Sequence, residues 1–224
     1  RVDSNRNDML IAVIVGSPGT PYEGGVFEFH VFIGPDFPSS PPSVQFMTTD
    51  SGRKRFNPNL YKSGKVCLSL LGTWSGPGWD PEHSSILQVL VSIQSLILNS
   101  EPYFNEPGLA ALQGTNAGTE ASLNYNNHIR EATLRVATLR ASLYPPICLA
   151  GALKQHFSLM SGEYLQQLSA WEADLRTGWG QGKAGSSYTD SVTGIADDLA
   201  YRAREMDKVI NTLRKRFSKM KAMA

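Results

Sequence analysis

Phe56-Asn-Pro-Asn-Leu-Tyr-Lys-Ser-Gly-Lys-Val-Cys-Leu-Ser-Leu-Leu-Gly-Thr-Trp74 is the most informative stretch of this 224-residue chain. Cys67 lies among Val66, Leu68, Leu70 and Leu71, company in which a cysteine ordinarily serves as a small buried hydrophobe. Asn59 stands eight residues upstream, directly after Pro58, whose ring fixes the backbone. An amide held rigidly near a thiol can donate to a developing oxyanion, yet asparagine is equally a common turn residue. Periodicity alone does not separate these readings.

Upstream of this stretch the chain alternates. Met9–Val15 is an apolar run closed by Gly16, and Ser17–Gly25 is dense in turn-forming residues. Phe27, Phe29, Val31 and Ile33 then share one side of a strand, with Glu28 and His30 on the other. Beyond the loop Gly34–Pro42, Val44, Phe46 and Thr48 alternate again, so three strands joined by short turns predict an antiparallel meander. Downstream, Ser85 and Gln88 fit a capping box ahead of Ile86–Leu98, a helix apolar on most of its surface and therefore expected to be buried. Leu153, Phe157, Met160, Tyr164, Leu168, Trp171 and Leu175 form one helical stripe; Ile195, Leu199, Met206, Ile210, Leu213 and Phe217 form a second. Core packing explains both stripes.

The totals agree with a divided chain. Eleven of 13 prolines lie at or before Pro107, which places strands and loops first and helices after. The net charge of +1 excludes the strong basic footprint of a dedicated nucleic-acid binder. No apolar run approaches a membrane span. Two cysteines are too few for a disulfide scaffold and suit a reducing compartment. Most of the positive charge after residue 108 falls in Tyr201–Ala224, a basic helix whose ordinary role is a solvated face, with docking to an acidic partner or a membrane the sharper alternative. His83, His128 and His156 are scattered without zinc spacing, so no metal is expected, and no phosphate loop calls for a nucleotide. A Cys67–His128 protease pair lacks the local signatures of that chemistry. Cys148, after Pro145-Pro146, is expected to pack.

Thr20-Pro-Tyr-Glu-Gly-Gly25, Phe37-Pro-Ser-Ser-Pro-Pro42, Phe56-Asn-Pro-Asn59, Gly64-Lys-Val-Cys-Leu68 and Trp79-Asp-Pro81 resemble, in order and spacing, the ubiquitin-conjugating (E2) catalytic domain. The resemblance covers about Met9 to Gly108. Asn57–Tyr61, Ser69–Trp74 and Glu101–Gly108 are most similar to the large hybrid E2/E3 enzymes, and Tyr125–Thr133 and Lys154–Phe157 extend the similarity more weakly. It implies an α+β class, the E2 (UBC) fold, with an antiparallel meander sheet packed on helices and a C-terminal helical extension. The expected organisation is a core over 1–110 lacking its N-terminal helix, a helical part over 111–177, a flexible connector over 178–194 and a basic amphipathic helix over 195–224.

The resemblance implies that Cys67 takes ubiquitin from an E1 enzyme as a thioester, and that a lysine of a protein substrate then attacks it. Asn59 matches the asparagine of the family's His-Pro-Asn motif, assigned to oxyanion stabilisation or loop order. Glu106 matches the acidic position that assists deprotonation of the lysine, with Asn105 beside it, although Glu101–Glu106 read alone is only a loop. Asn57 stands where most members have His, and with Pro58 it belongs to the active-site loop. Ser39 stands where many members offer an aromatic anchor to E3 ligases, which argues against ordinary RING or HECT docking. Trp74, in the insertion Gly72–Gly78, is either an exposed contact or folded onto the core, and Pro81 completes the expected partner-binding set. No cofactor is implied. Expected partners are ubiquitin, E1, lysine-bearing substrates and the remainder of a larger parent protein, since the start lacks Met and the family's first helix, with Arg1–Asp8 expected as loop. Without that helix, loading from E1 is expected to suffer. The expected location is cytoplasmic, with nuclear or membrane association arising through the parent. A catalytically inactive ubiquitin-binding relative, or an E2 for another ubiquitin-like modifier, are the competing expectations.

Overall fold

In the computed structural model, the described residues are 2–3, 6–180 and 199–223. They form two units, Arg1–Ala141 and Ser142–Ala224. In the first, the alternating segments become an antiparallel sheet in chain order: β1 (Val2–Asp3), β2 (Arg6–Val15), β3 (Val26–Phe32) and β4 (Ser43–Phe46). The stretch expected as loop before Met9 is in part strand, because Val2 and Asp3 pair with Leu10 and Arg6. The β2–β3 register runs from Met9 opposite Phe32 to Val15 opposite Val26, which sends Phe27, Phe29 and Val31 to one face. All three are fully buried. Glu28 and His30 take the opposite face, where His30 Nε2 lies 2.7 Å from the Glu28 carboxylate.

The turn between β2 and β3 closes tightly. Gly16 N–H donates to the Gly25 carbonyl and Gly24 N–H to the Gly16 carbonyl. A Cβ on Gly16 would sit 1.9 Å from the Tyr22 carbonyl oxygen, so only glycine fits there. This closure delivers Tyr22, wholly buried, into a ring cluster with Phe27, Phe46 and Phe56. The edge-to-face contacts have centroid separations of 5.4–6.0 Å, the arrangement favoured by aromatic quadrupoles.

Helix α1 (Ile86–Ser92) begins at the expected capping box, with the Gln88 N–H donating to Ser85 Oγ and the Ser85 N–H donating to Gln88 Oε1. It widens into a π-helical turn over Ile93–Ile97. Val89, Ile93, Ile97 and Leu98 fill the core under the sheet, but Leu87, Val91 and Leu96 are 69%, 50% and 60% exposed. The expectation of a buried helix is therefore corrected in part: one stripe is inside and a second apolar stripe faces outward. Helix α2 (Asn116–Ala132), capped by Thr115, passes into a second π-helical stretch over Thr133–Arg140. Thr133 Oγ1 reaches back to the Pro21 carbonyl and fastens this helix to the β2–β3 turn. A short helix α3 (Ala141–Leu143) follows.

The second unit is helical. The first apolar stripe is divided between α4 (Ala150–Leu159) and α5 (Ser161–Gly180), with the break at Met160, which is partly exposed. Leu153, Phe157, Tyr164, Leu168 and Trp171 are buried with Met206, Ile210, Leu213 and Phe217 of α6 (Leu199–Met223). Tyr164 and Phe217 stack at 4.6 Å between centroids. The connector expected over 178–194 lies outside the described residues from 181 onward, and positions 178–180 continue α5.

His156 Nε2 lies 3.1 Å from Tyr164 Oη, and burial lowers the imidazole from its ordinary value of about 6.5 while raising the phenol. A depressed folded-state value favours the neutral ring, so its contribution is intact above about pH 6.5 and is lost as pH falls toward the folded value. Thermal melts at about pH 7.5 and 5.5 are expected to show a smaller acid loss for His156→Gln than for the parent chain. Equal losses in the two proteins would remove His156 as the source.

Candidate active site

The 57–59 turn is built from buried polar bonds rather than from chain stiffness alone. Asn57 is 0% exposed and uses both ends of its amide. Its Nδ2 donates to Tyr22 Oη at 3.0 Å and to the Ile97 carbonyl at 2.7 Å, while its Oδ1 accepts from Asn59 N–H at 2.8 Å. Tyr22 Oη in turn donates to the Phe56 carbonyl at 2.9 Å. Burial holds the Tyr22 phenol well above its ordinary range, so it remains a neutral donor. The Asn-Pro-Asn sequence is thus anchored to the sheet turn and to the end of the π-helical segment after α1. Asn57, standing where the resemblance gives most members His, thus holds the turn through its own amide.

Asn59 carries the anchoring to Cys67. Its carbonyl accepts from Cys67 N–H at 2.9 Å, and its Nδ2 donates to the Cys67 carbonyl at 3.0 Å. One N–H of the Asn59 amide is thus engaged within the loop, on the Cys67 carbonyl. Thr73 braces the other side: its Oγ1 donates to the Val66 carbonyl at 2.7 Å and accepts from Leu68 N–H at 3.0 Å. Cys67 is a free thiol, 3% exposed. The N–H of the cysteine is held by the Asn59 backbone carbonyl, its carbonyl by the Asn59 side chain, and both of its flanks by the Thr73 hydroxyl. At Gly64, φ is +90° and an added Cβ would lie 2.8 Å from the Phe46 carbonyl oxygen, so the turn before the cysteine also requires glycine. A groove of about 360 Å³ opens beside Val66, between Pro41, Pro42 and Val44 on one side and Leu71 and Thr73 on the other.

Asn105 is joined to the same turn. Its Nδ2 donates to the Leu96 carbonyl at 3.1 Å and lies 3.3 Å from Asn57 Oδ1; its Oδ1 accepts from Asn99 Nδ2 at 3.0 Å. Glu106, in extended backbone just after the 3₁₀ turn Pro102–Asn105, pairs with Arg55 at 3.3 Å. The loop 101–106 is therefore fastened to the 55–59 segment through two side chains. Tyr22, Arg55, Thr73 and Asn99 were not singled out as site residues by sequence reasoning. Of these, Tyr22 lay inside the Thr20–Gly25 phrase and Thr73 inside Ser69–Trp74, whereas Arg55 and Asn99 carried no sequence signal.

The expected partner-binding residues are spread on the surface. Ser39, Trp74 and Pro81 are all exposed, and Trp74, at 39%, has the exposed rather than the folded-back disposition. Trp79 instead packs inward against Phe37 and donates from Nε1 to the Pro38 carbonyl, joining the 37–42 loop to the segment after the insertion. Among the described residues no cluster of His, Cys, Asp and Glu is arranged to hold a metal ion, and no single helix is long and apolar enough to cross a membrane.

Residues 1–133 match the ubiquitin-conjugating enzyme family, and the chain belongs to that family. It is 42% identical over 212 residues to the human dual E2 ubiquitin-conjugating enzyme/E3 ubiquitin-protein ligase BIRC6, covering 93% of this chain and 4% of that protein. It is 44% identical over 184 residues to the probable ubiquitin-conjugating enzyme protein 17 of Caenorhabditis elegans, covering 81% of this chain and 25% of the relative. It is 42% identical over 217 residues to the putative ubiquitin-conjugating enzyme E2 38 of Arabidopsis thaliana, 95% of this chain and 61% of the relative. The chain thus spans less than two thirds of the length of each.

Proposed function

We propose that this chain is an active E2 that accepts ubiquitin from E1 as a thioester on Cys67 and passes it to substrate lysines. The observation that carries the reading is the bracing of Cys67, whose two peptide groups are held by Asn59 and whose flanks are held by Thr73. A residue that only filled space would need no such polar frame. Family membership and the similarity to dual E2/E3 enzymes support it.

Loading exchanges one thioester for another. The Cys67 thiolate attacks the E1-linked ubiquitin carbonyl, the new C–S bond forms, and the E1 cysteine leaves as thiolate. In discharge, the neutral Nζ of a substrate lysine attacks, the C–N bond forms, and the C–S bond breaks with Cys67 leaving as thiolate. The Nζ proton departs to a base, a role assigned to Glu106. Asn59, Asn57, Pro58 and Asn105 hold the loop that carries this chemistry. Ser39, Trp74 and Pro81 form the partner-facing surface, with Ser39 in place of an aromatic anchor disfavouring ordinary RING or HECT ligases. The larger protein is proposed to be a hybrid E2/E3 acting in the cytoplasm.

Incubation of the full-length protein with E1, ATP and tagged ubiquitin should produce a thiol-sensitive adduct on a non-reducing gel, and absence of an adduct overturns the reading. Replacing ubiquitin by other ubiquitin-like modifiers in the same reaction assigns the modifier. Glu106→Ala should slow discharge to free lysine about tenfold or more in a single-turnover chase, with a much smaller effect on the loading rate. Equal loss in both steps would remove the proton-accepting role.

A further inference from the structure

Arg55 belongs to no motif, yet it touches the two segments that the proposed transfer step brings together. Its Nη2 donates to the Pro58 carbonyl at 2.6 Å, inside the Asn-Pro-Asn turn, and the same nitrogen lies 3.3 Å from Glu106 Oε2. The guanidinium carbon sits 4.6 Å from the centre of the Tyr61 ring, and Nε is buried without a hydrogen-bond partner. The cation is thus held on the active-site segment by a backbone carbonyl and an aromatic face, independently of the carboxylate. Glu106 approaches this fixed charge from a loop 51 residues away in sequence, through the longer of the two hydrogen bonds that this nitrogen makes.

As a contribution to stability such a pair is weak, because both side chains are about a third exposed and solvent screens them. Its geometry suits a different task. A rigid cation holding a carboxylate loosely keeps the carboxylate at the site while leaving it free to turn to an incoming ammonium.

We infer that Arg55 is a positioning residue for lysine transfer, fixing the Glu106 carboxylate against the Asn57–Pro58–Asn59 turn until the substrate ammonium displaces it. The inference rests on the proposed roles of Cys67 and Glu106. When Glu106 then takes the Nζ proton, the guanidinium remains bonded to Pro58, so the turn does not loosen during the step. Arginine rather than lysine suits this place, since one planar fork serves a carbonyl, a carboxylate and a ring face together.

The test compares nucleophiles on the preloaded full-length protein. Free lysine must lose a proton to attack, whereas hydroxylamine is already neutral near pH 7 and needs no carboxylate. Arg55→Gln should lower the ratio of lysine to hydroxylamine discharge about five- to tenfold, and Arg55→Lys should recover part of it. Because Arg55 acts through Glu106, the double variant Arg55→Gln/Glu106→Gln should lose no more than Glu106→Gln alone. A ratio within twofold of the parent in Arg55→Gln, or multiplied losses in the double variant, overturns the inference while leaving the Glu106 role standing. If Glu106→Gln itself leaves the ratio unchanged, the Glu106 role falls and this inference with it; failure of the unsubstituted full-length protein to load ubiquitin overturns the E2 reading instead. A general loosening of the fold lowers both discharge rates together and leaves the ratio at the parent value, which counts against the inference.

Discussion

Cys67→Ala is expected to abolish the ubiquitin adduct, and Cys148→Ala to retain it. The difference follows from where the two thiols sit. Cys67 is framed by Asn59 and Thr73, while Cys148 lies in a 3₁₀ turn of the second unit beside Pro146. Removing the buried sulfur of Cys67 should cost only about 1 kcal/mol of stability, so loss of the adduct in a protein that still melts cooperatively reports chemistry and not unfolding. Cys67→Ser sharpens the result. An oxygen ester forms in place of the thioester, and because an alkoxide is a poorer leaving group than a thiolate, the band should survive reducing agent and discharge slowly to lysine. A thiol-sensitive band in Cys67→Ala, or its loss in Cys148→Ala alone, would move the acceptor away from Cys67.

Asn57→Ala is expected to be the most damaging substitution in the turn, lowering stability by about 3–4 kcal/mol. Four groups lose a partner at once: Tyr22 Oη, the Ile97 carbonyl, Asn59 N–H and Asn105 Nδ2. All but the last belong to the buried interior, where a polar group stripped of its partner keeps the full desolvation cost. Asn57→Asp should be at least as harmful although it is nearly isosteric. It replaces the N–H donors facing Tyr22 and Ile97 by a buried carboxylate oxygen opposite a carbonyl. Urea unfolding of the two variants against the parent measures both effects. A loss below about 1 kcal/mol in both would mean that the network does not hold the turn.

The fold was readable where a local rule determines it. The period-two pattern of Phe27, Phe29 and Val31 indicated their face of the sheet, and Ser85 with Gln88 marked the start of α1, because a strand's pleat and a helix N-terminus depend on residues close in sequence. The exposed stripe Leu87, Val91 and Leu96 was misjudged for the converse reason. Hydropathy counts apolar residues but does not reveal how much of a helix its neighbours cover. Met160 likewise kept its place in an unbroken apolar stripe, although the chain there changes helix. A side-chain period is blind to such a break when the spacing on either side happens to agree.

For the site, the chain order of Asn-Pro-Asn, Gly-Lys-Val-Cys-Leu and Glu-Pro was sufficient to name Cys67, Asn59 and Glu106 as a resemblance. Residue identity and spacing carry that much, because the turn and the cysteine are only eight residues apart and their mutual bonds are local. Which groups hold them in place is a property of the folded chain. Tyr22 meets Asn57 across 35 positions, Asn57 meets Ile97 across 40, and Arg55 meets Glu106 across 51. Those partners lie on a sheet turn, the end of a helix and a distant loop, and they come together only because the aromatic core beneath them sets the distances between those elements. The linear sequence thus names the reactive set, whereas the frame around Cys67, and the pairing of Arg55 with Glu106, exist only once β2–β3, α1 and the 101–106 loop have packed.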